Sequence, residues 1–474
     1  MAGTTTETHP LDFIFHPKTV VIAGASSRPG RGGGFLSGML KHEFPGRLLV
    51  VNPKATEIGG VPSYPRVTDI PGEVEYVISS VPAPVTPHLM EDCVAKGVKV
   101  VHFFTAGYSE TGEPERIALE REVVAIAKRG GIRLIGPNCM GVYCPESGLT
   151  FSEAFPREPG PVGMISQSGT NASEFTSKGA LRGLRFSKVV SVGNAADVSA
   201  AELFDYLAWD PATQIIAAYL EGTGDARPLF ESLKRAAARK PVLILKGGRT
   251  EAGARATASH TSSLAGNDAL WDALCRQVGA VRVQSVEEMV DLAVTFRFLR
   301  PPQGPRVALL AGGGGVSVLS TDEIAAAGLE MPPLPEETRQ TLREMVPLAG
   351  HSIRNPLDAS PLLETRHFAQ AYEAIVGSAN IDMLVVLGGM GFGPPGNADD
   401  DRTQVILDTV RQRPIKPTAF IVRHGATSRE GRAAQQMTER LVEAGIPAYH
   451  SVAGAAVAIS RYLRFLRSRN GATA

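Results

Sequence analysis

Cysteine is scarce in this sequence: Cys93, Cys139, Cys144 and Cys275 are the only four in 474 residues, and no two form a CxxC pair. Cys139 and Cys144 are close together, but no histidine or second cysteine pair stands near them to complete a zinc set. No metal site is expected, and the four thiols read as reduced structural residues of a cytoplasmic protein. Neither sign of charge is in excess, since Lys+Arg and Asp+Glu each number 48. That balance gives the whole chain no electrostatic reason to bind nucleic acid or an anionic membrane. No apolar run approaches the ~20 residues that span a bilayer. Residues 1–10 are polar and lack the charged start and apolar core of a secretory signal. What is present is an ordinary globular composition, 43% hydrophobic and 20% charged, on a length that suits three domains.

Short β-branched runs alternate with longer Ala-rich amphipathic stretches, the pattern of parallel sheets covered by helices. The first section, 11–150, has strands expected at Thr19–Ala23, Leu48–Val51, Tyr76–Val81, Lys99–Phe103 and Arg133–Ile135, with helices at Val85–Lys96 and Glu113–Lys128. Its spacing predicts a Rossmann-like sheet. The Pro/Gly-rich passage Pro156–Pro161 marks a boundary. The second section, 158–300, has strands at Val162–Ser166, Ser187–Ser191, Ile215–Leu220, Val242–Lys246 and Val281–Val283. Prolines from Pro301 to Pro305 mark another boundary. The third, 304–474, restarts with Arg306–Ala311 and continues with strands at Met383–Leu387 and Thr418–Val422. The second and third open alike, each with a strand, a small-residue turn and a helix, which points to two flavodoxin-like layers. The fold class is α/β throughout.

Four places have residues suited to chemistry. The turn after the first strand runs from Gly24 to Gly34 through Ser26, Ser27, Arg28, Pro29 and Gly30. Small residues let a backbone approach a ligand, and the following helix start favours phosphate. The spacing is not GxGxxG, and Asn52-Pro53-Lys54 replaces the acidic residue that would grip a ribose after the second strand. NAD is therefore not expected; Lys54 fits a phosphate-bearing ligand, although an ordinary tight turn has the same composition. Val81-Pro82-Ala83 leaves the third strand at the same carboxyl edge. Ser166-Gln167-Ser168-Gly169 follows a strand as either a phosphate cradle or a plain helix cap. Finally, the stretch from Lys246 to Gly266 is nearly all small and reads as a long loop holding one imidazole, His260. An imidazole whose tautomer is fixed can act as a nucleophile toward phosphorus. Glu221 ends a strand at the edge where that loop emerges, and a carboxylate there suits the orienting role.

Together these segments resemble the alpha subunit of ADP-forming acetyl-CoA synthetase and, more distantly, that of succinyl-CoA synthetase. The resemblance rests on Gly24-Ala25-Ser26 with Pro29-Gly30, Val51-Asn52-Pro53-Lys54, Val81-Pro82-Ala83 and Ile135-Gly136-Pro137-Asn138-Cys139. It continues through Ser166-Gln167-Ser168-Gly169, Leu220-Glu221-Gly222, Lys246 to Gly253, Ser259-His260-Thr261 and Ser263-Leu264-Ala265-Gly266. It implies an acid–CoA ligase that makes acyl-CoA, ADP and phosphate from a small carboxylic acid, CoA and ATP. Gly24, Ser26–Gly30, Lys54 and Val81–Ala83 would bind coenzyme A. His260 would relay the phosphoryl group, Glu221 would orient it and Ser166–Gly169 would cradle the phosphate. The ATP-grasp half is not in the sequence, so ATP/ADP and Mg would belong to a separate beta subunit in a hetero-oligomer. The chain departs from the family at Ser262, where glycine is usual, and at Ser173, where succinyl-CoA synthetase carries an aromatic substrate neighbour. Two other readings stay open: a CoA or acyl-CoA sensor that kept the fold without the relay, and a nicotinamide-dependent dehydrogenase.

Overall fold

The computed structural model describes residues 8–25, 33–222, 224–261, 268–347, 349–388, 397–423 and 427–471. It has three sheets, each mostly parallel and each built on strands buried on both faces. Such strands are continuous apolar runs because helices cover both sides. β1 (Thr19–Ala23), for example, is buried at every position.

The first sheet contains β1, β2 (Arg47–Val51), β3 (Glu57–Ile58), β4 (Val61–Tyr64), β5 (Tyr76–Ser79), β6 (Val100–Phe103) and β7 (Arg133–Ile135), in the order β3-β4-β2-β1-β5-β6-β7. Apart from β3, which pairs antiparallel with β4, this is the doubly wound Rossmann order. Helices α1 (Gly33–Lys41), α2 (Thr86–Lys96) and α3 (Pro114–Gly130) connect its strands.

The second sheet contains β8 (Gly141–Tyr143), β9 (Pro159–Ser166), β10 (Phe186–Ser191), β11 (Ile215–Leu220), β12 (Val242–Lys246) and β13 (Val281–Val283), in the order β13-β12-β11-β9-β10-β8. The five parallel strands follow the flavodoxin order, and β8 joins β10 antiparallel. The boundary expected at Pro156–Pro161 does not coincide with the sheet boundary. β8 precedes it, and β9 begins within it, at Pro159. Helices α4 (Gly169–Leu181), α5 (Ala200–Trp209), α6 (Ala226–Arg239), α7 (Glu251–Thr261), α8 (Asp268–Val278) and α9 (Val286–Phe298) follow in chain order.

The third sheet contains β14 (Val307–Ala311), β15 (Ser352–Ile353), β16 (Leu357–Asp358), β17 (Met383–Gly388), β18 (Thr418–Val422) and β19 (Ala448–Tyr449), in the order β15-β16-β14-β17-β18-β19. It repeats the winding of the second, including one antiparallel strand at the edge. Its first helix is α10 (Gly314–Ala326). By compactness the chain divides into two units, Met1–Ala180 with Arg185–Met289, and Leu181–Leu184 with Val290–Ala474. The Rossmann and first flavodoxin-like sheets lie in one unit, the last sheet in the other.

Within the stretch from Lys246 to Gly266, expected as a loop, Glu251–Thr261 form helix α7. Thr250 caps α7, its hydroxyl accepting the Gly253 amide at 3.1 Å. Ala252, Ala254, Ala256 and Ala258 have the best helix propensity, and Arg255 reaches Glu251 one turn back at 3.0 Å. Small side chains permit a loop, but four of those in α7 are alanine, which favours helix.

Candidate functional site

Gly24 with Val81–Ala83, and Ser166–Gly169 with Glu221, lie where a doubly wound sheet opens a crevice, at the ends of the two strands from which the chain winds in opposite directions. In the first sheet those strands are β1 and β5. Gly24 follows β1 with φ +87°, and a Cβ there would lie 3.0 Å from the Ser80 carbonyl carbon and the Val81 amide. Only glycine suits both the dihedral and the approach. The Gly24 amide donates to Val51 at 2.9 Å, and the Ala25 carbonyl accepts from the Asn52 side chain at 2.9 Å. Asn52 Oδ1 in turn accepts the Lys54 amide at 2.9 Å, so one asparagine joins the first turn to the lysine turn. Lys54 is exposed. After β5, Val81 is half-buried, Pro82 exposed and Ala83 buried, and the Val81 carbonyl accepts from Thr105 Oγ1 at 2.7 Å. The Ser80 hydroxyl is buried beside this turn with no hydrogen-bond partner among the described residues, an arrangement that suits a polar ligand. Ser26, Ser27, Arg28, Pro29 and Gly30 lie outside the described residues.

In the second sheet the corresponding strands are β9 and β11. Ser166 donates to the Ser168 carbonyl at 2.6 Å and accepts the Ser168 amide at 3.1 Å, while Ser168 Oγ accepts the Asn171 amide at 3.3 Å. The two serines therefore shape and cap the turn. The Gly169 and Thr170 amides head α4 with no partner among the described residues. Gln167 reaches across to β11, its Oε1 accepting the amides of Glu221 at 2.5 Å and Gly222 at 3.0 Å.

Glu221 is only 4% exposed. Its carbonyl accepts from Lys246 Nζ at 2.8 Å, and its side chain lies beside the Tyr219 hydroxyl. Burial raises the Tyr219 phenol above its ordinary range, and the Glu221 charge raises it further. Burial lowers the Lys246 ammonium, against the pull of Glu221 and Asp268. The backbone of His260 lies in α7, near its C-terminal end. Its side chain and residues Ser262–Gly266 are outside what is described. Ser173 turns its hydroxyl back onto the Gly169 carbonyl at 2.9 Å.

Sequence reasoning missed the loop between β6 and α3. Asn194 Nδ2 donates to Glu110 at 2.6 Å and to Glu120 at 2.9 Å, while the Asn194 amide donates to Pro137 at 3.0 Å. Burial works to raise the Glu110 carboxyl, but Asn194 and the amides of Gly107 and Tyr108 hold it below the usual carboxylate range. The Tyr108 hydroxyl bonds Thr86 at 3.0 Å, and Thr86 bonds the Ala83 carbonyl at 2.6 Å. The turn Ser109–Thr111 packs against α7. One polar network thus runs from Ala83 to the seat of the helix that carries His260. Among the described residues no cluster of His, Cys, Asp or Glu could hold a metal, and no helix is long and apolar enough to cross a membrane.

Compared with known proteins, the chain is 34% identical over 95% of its length to the alpha subunit of acetate–CoA ligase [ADP-forming] II from Pyrococcus furiosus, of which it covers 97%. The chain belongs to the family of ADP-forming acetate–CoA ligase alpha subunits. This alpha subunit also matches 54% of acetate–CoA ligase [ADP-forming] I from Archaeoglobus fulgidus at 35% identity, so it spans about half of that longer relative. The acetyl-coenzyme A synthetase 1 of Ca. Korarchaeum cryptofilum, solved with phosphate and ADP, shares the fold with a TM-score of 0.81 and 31% identity, each chain covered to 97%. A CoA binding domain matches residues 18–145, and a succinyl-CoA ligase like flavodoxin domain matches 159–296. The ligase subunit thus combines a CoA-binding Rossmann-like layer with a succinyl-CoA-ligase-like flavodoxin layer. The sensor and dehydrogenase readings give way to this one.

Proposed function

We propose that this alpha subunit carries the phosphoryl group on His260, between an acyl-transfer site that it builds itself and a nucleotide site on an ATP-grasp beta subunit that also binds Mg. The placement of Ser166–Gly169 and Glu221 together at the crevice of the second sheet carries this reading. A carboxylate is a poor electrophile toward a thiol, and phosphorylation gives it a leaving group. In the direction that makes acyl-CoA, one imidazole nitrogen takes the γ-phosphoryl from ATP; an N–P bond forms as the bond to ADP breaks. The acid oxygen then attacks phosphorus, the N–P bond breaks and acyl phosphate forms. CoA sulfur attacks the acyl carbon and phosphate leaves. Glu221 accepts the N–H of the other ring nitrogen, and the open amides of Gly169 and Thr170 hold the phosphate. CoA lies along Gly24, Ser26–Gly30, Lys54 and Val81–Ala83. The substrate is a small carboxylic acid and the complex a cytoplasmic hetero-oligomer.

The test is His260→Ala, assayed with the partner subunit present and labelled ATP. The expected result is loss of acid-labile, base-stable label on the chain and loss of acyl-CoA synthesis. Undiminished acyl transfer would end the proposal.

A further inference from the structure

Glu221 has its backbone held from two sides. Gln167 Oε1 takes its amide, and Lys246 Nζ takes its carbonyl. Neither contact orients the carboxylate. That group lies beside the Tyr219 hydroxyl, whose other polar neighbour is the side chain of Asn171, in the first turn of α4. A Cβ at Gly247 would lie 2.5 Å from Tyr219 Oη, 3.0 Å from its Cζ and 3.2 Å from Glu221 Cγ, so the phenol and the carboxylate converge on one glycine. Residues 219 and 221 lie two apart at the end of one strand, where side chains share a face.

We infer that Tyr219 is a positioning residue for the phosphoryl relay: its hydroxyl, itself held by Asn171, aims the Glu221 carboxylate, and Gly247 is there to leave it room. The inference rests on the relay reading above. A phenol serves this purpose because its ring is packed and its two torsions are fixed, so a single hydrogen bond selects one carboxylate orientation. The chain Asn171–Tyr219–Glu221 also ties the orienting carboxylate to the helix that cradles phosphate.

The experiment compares wild type, Tyr219→Phe, Gly247→Ala and Glu221→Ala as full chains with the partner subunit, using acetyl [32P]phosphate as phosphoryl donor. Tyr219→Phe keeps the ring and its packing. We expect its labelling rate to fall roughly ten- to a hundred-fold with the KM for acetyl phosphate unchanged. CoA affinity and thermal midpoint stay at wild-type values, and Gly247→Ala lowers the same rate. Labelling of Tyr219→Phe at the wild-type rate, with Glu221→Ala inactive, overturns the inference and leaves the relay intact. A wild-type chain that takes no label overturns the relay itself and the inference with it. A fall in Tyr219→Phe matched by equal losses of CoA affinity and midpoint assigns Tyr219 a merely structural role.

Discussion

At the scale of single residues, the four cysteines and His102 are governed by burial. All four thiols are buried and free, and burial pushes Cys275 up to about 11, so none is poised for nucleophilic work. His102, on β6, is 1% exposed, its Nε2 lies 3.2 Å from the Cys139 carbonyl, and burial takes its pKa down to about 4. Between pH 6.5 and 4 the unfolded chain therefore binds a proton that the folded chain refuses, and this group's contribution is complete above pH 6.5 and lost as pH falls through that window. The cost is about 1.4 kcal/mol per pH unit across the window. His102→Gln should flatten the fall of the unfolding midpoint between pH 7 and 4.5; equal slopes in both proteins would refute the assignment. None of this was legible beforehand, because the sequence places a histidine in a strand without saying that Gly141 will press against its ring.

At the scale of elements, the central strands were readable to within three residues, since a run such as Val-Leu-Ile-Leu in β12 has no other stable home in a doubly wound sheet. The short strands β3, β15, β16 and β19, each of two residues, carry too little pattern to be seen. Helix α7 was mistaken for loop because composition was weighed above propensity, although Thr250 and the alanines were there to be read. The site was legible where chemistry sits next to a strand end, as at Ser166 and Glu221. It was illegible where partners come from distant segments, as Asn194 does to Glu110. Removing that amide leaves Glu110 and Glu120 without their shared donor. Asn194→Ala should cost about 1–3 kcal/mol of stability in urea and weaken CoA binding to the isolated chain several-fold, measured by calorimetry. Unchanged CoA affinity would detach the network from the CoA segment.

At the scale of the whole molecule, the chain uses one winding twice, in its second and third sheets, with opposite treatment of the first turn. After β9 the Gly169 and Thr170 amides have no partner among the described residues. After β14 the glycines lead into α10, and Asp358, from the end of β16, accepts the Gly313 amide at 2.6 Å. The chain supplies there a carboxylate at the helix start, which its sister layer lacks among the described residues. Topology alone could not reveal this, because the carboxylate arrives from a strand two residues long.

That internal carboxylate should make the third layer's first turn deaf to phosphate in its surroundings. Bathed in millimolar inorganic phosphate, the amides around 168–172 should exchange with deuterium more slowly, while those around 312–316 keep their pace; slowing at both would show the Asp358 seal to be leaky. A cell rich or poor in phosphate would then tighten one layer of this subunit and leave the other as it was.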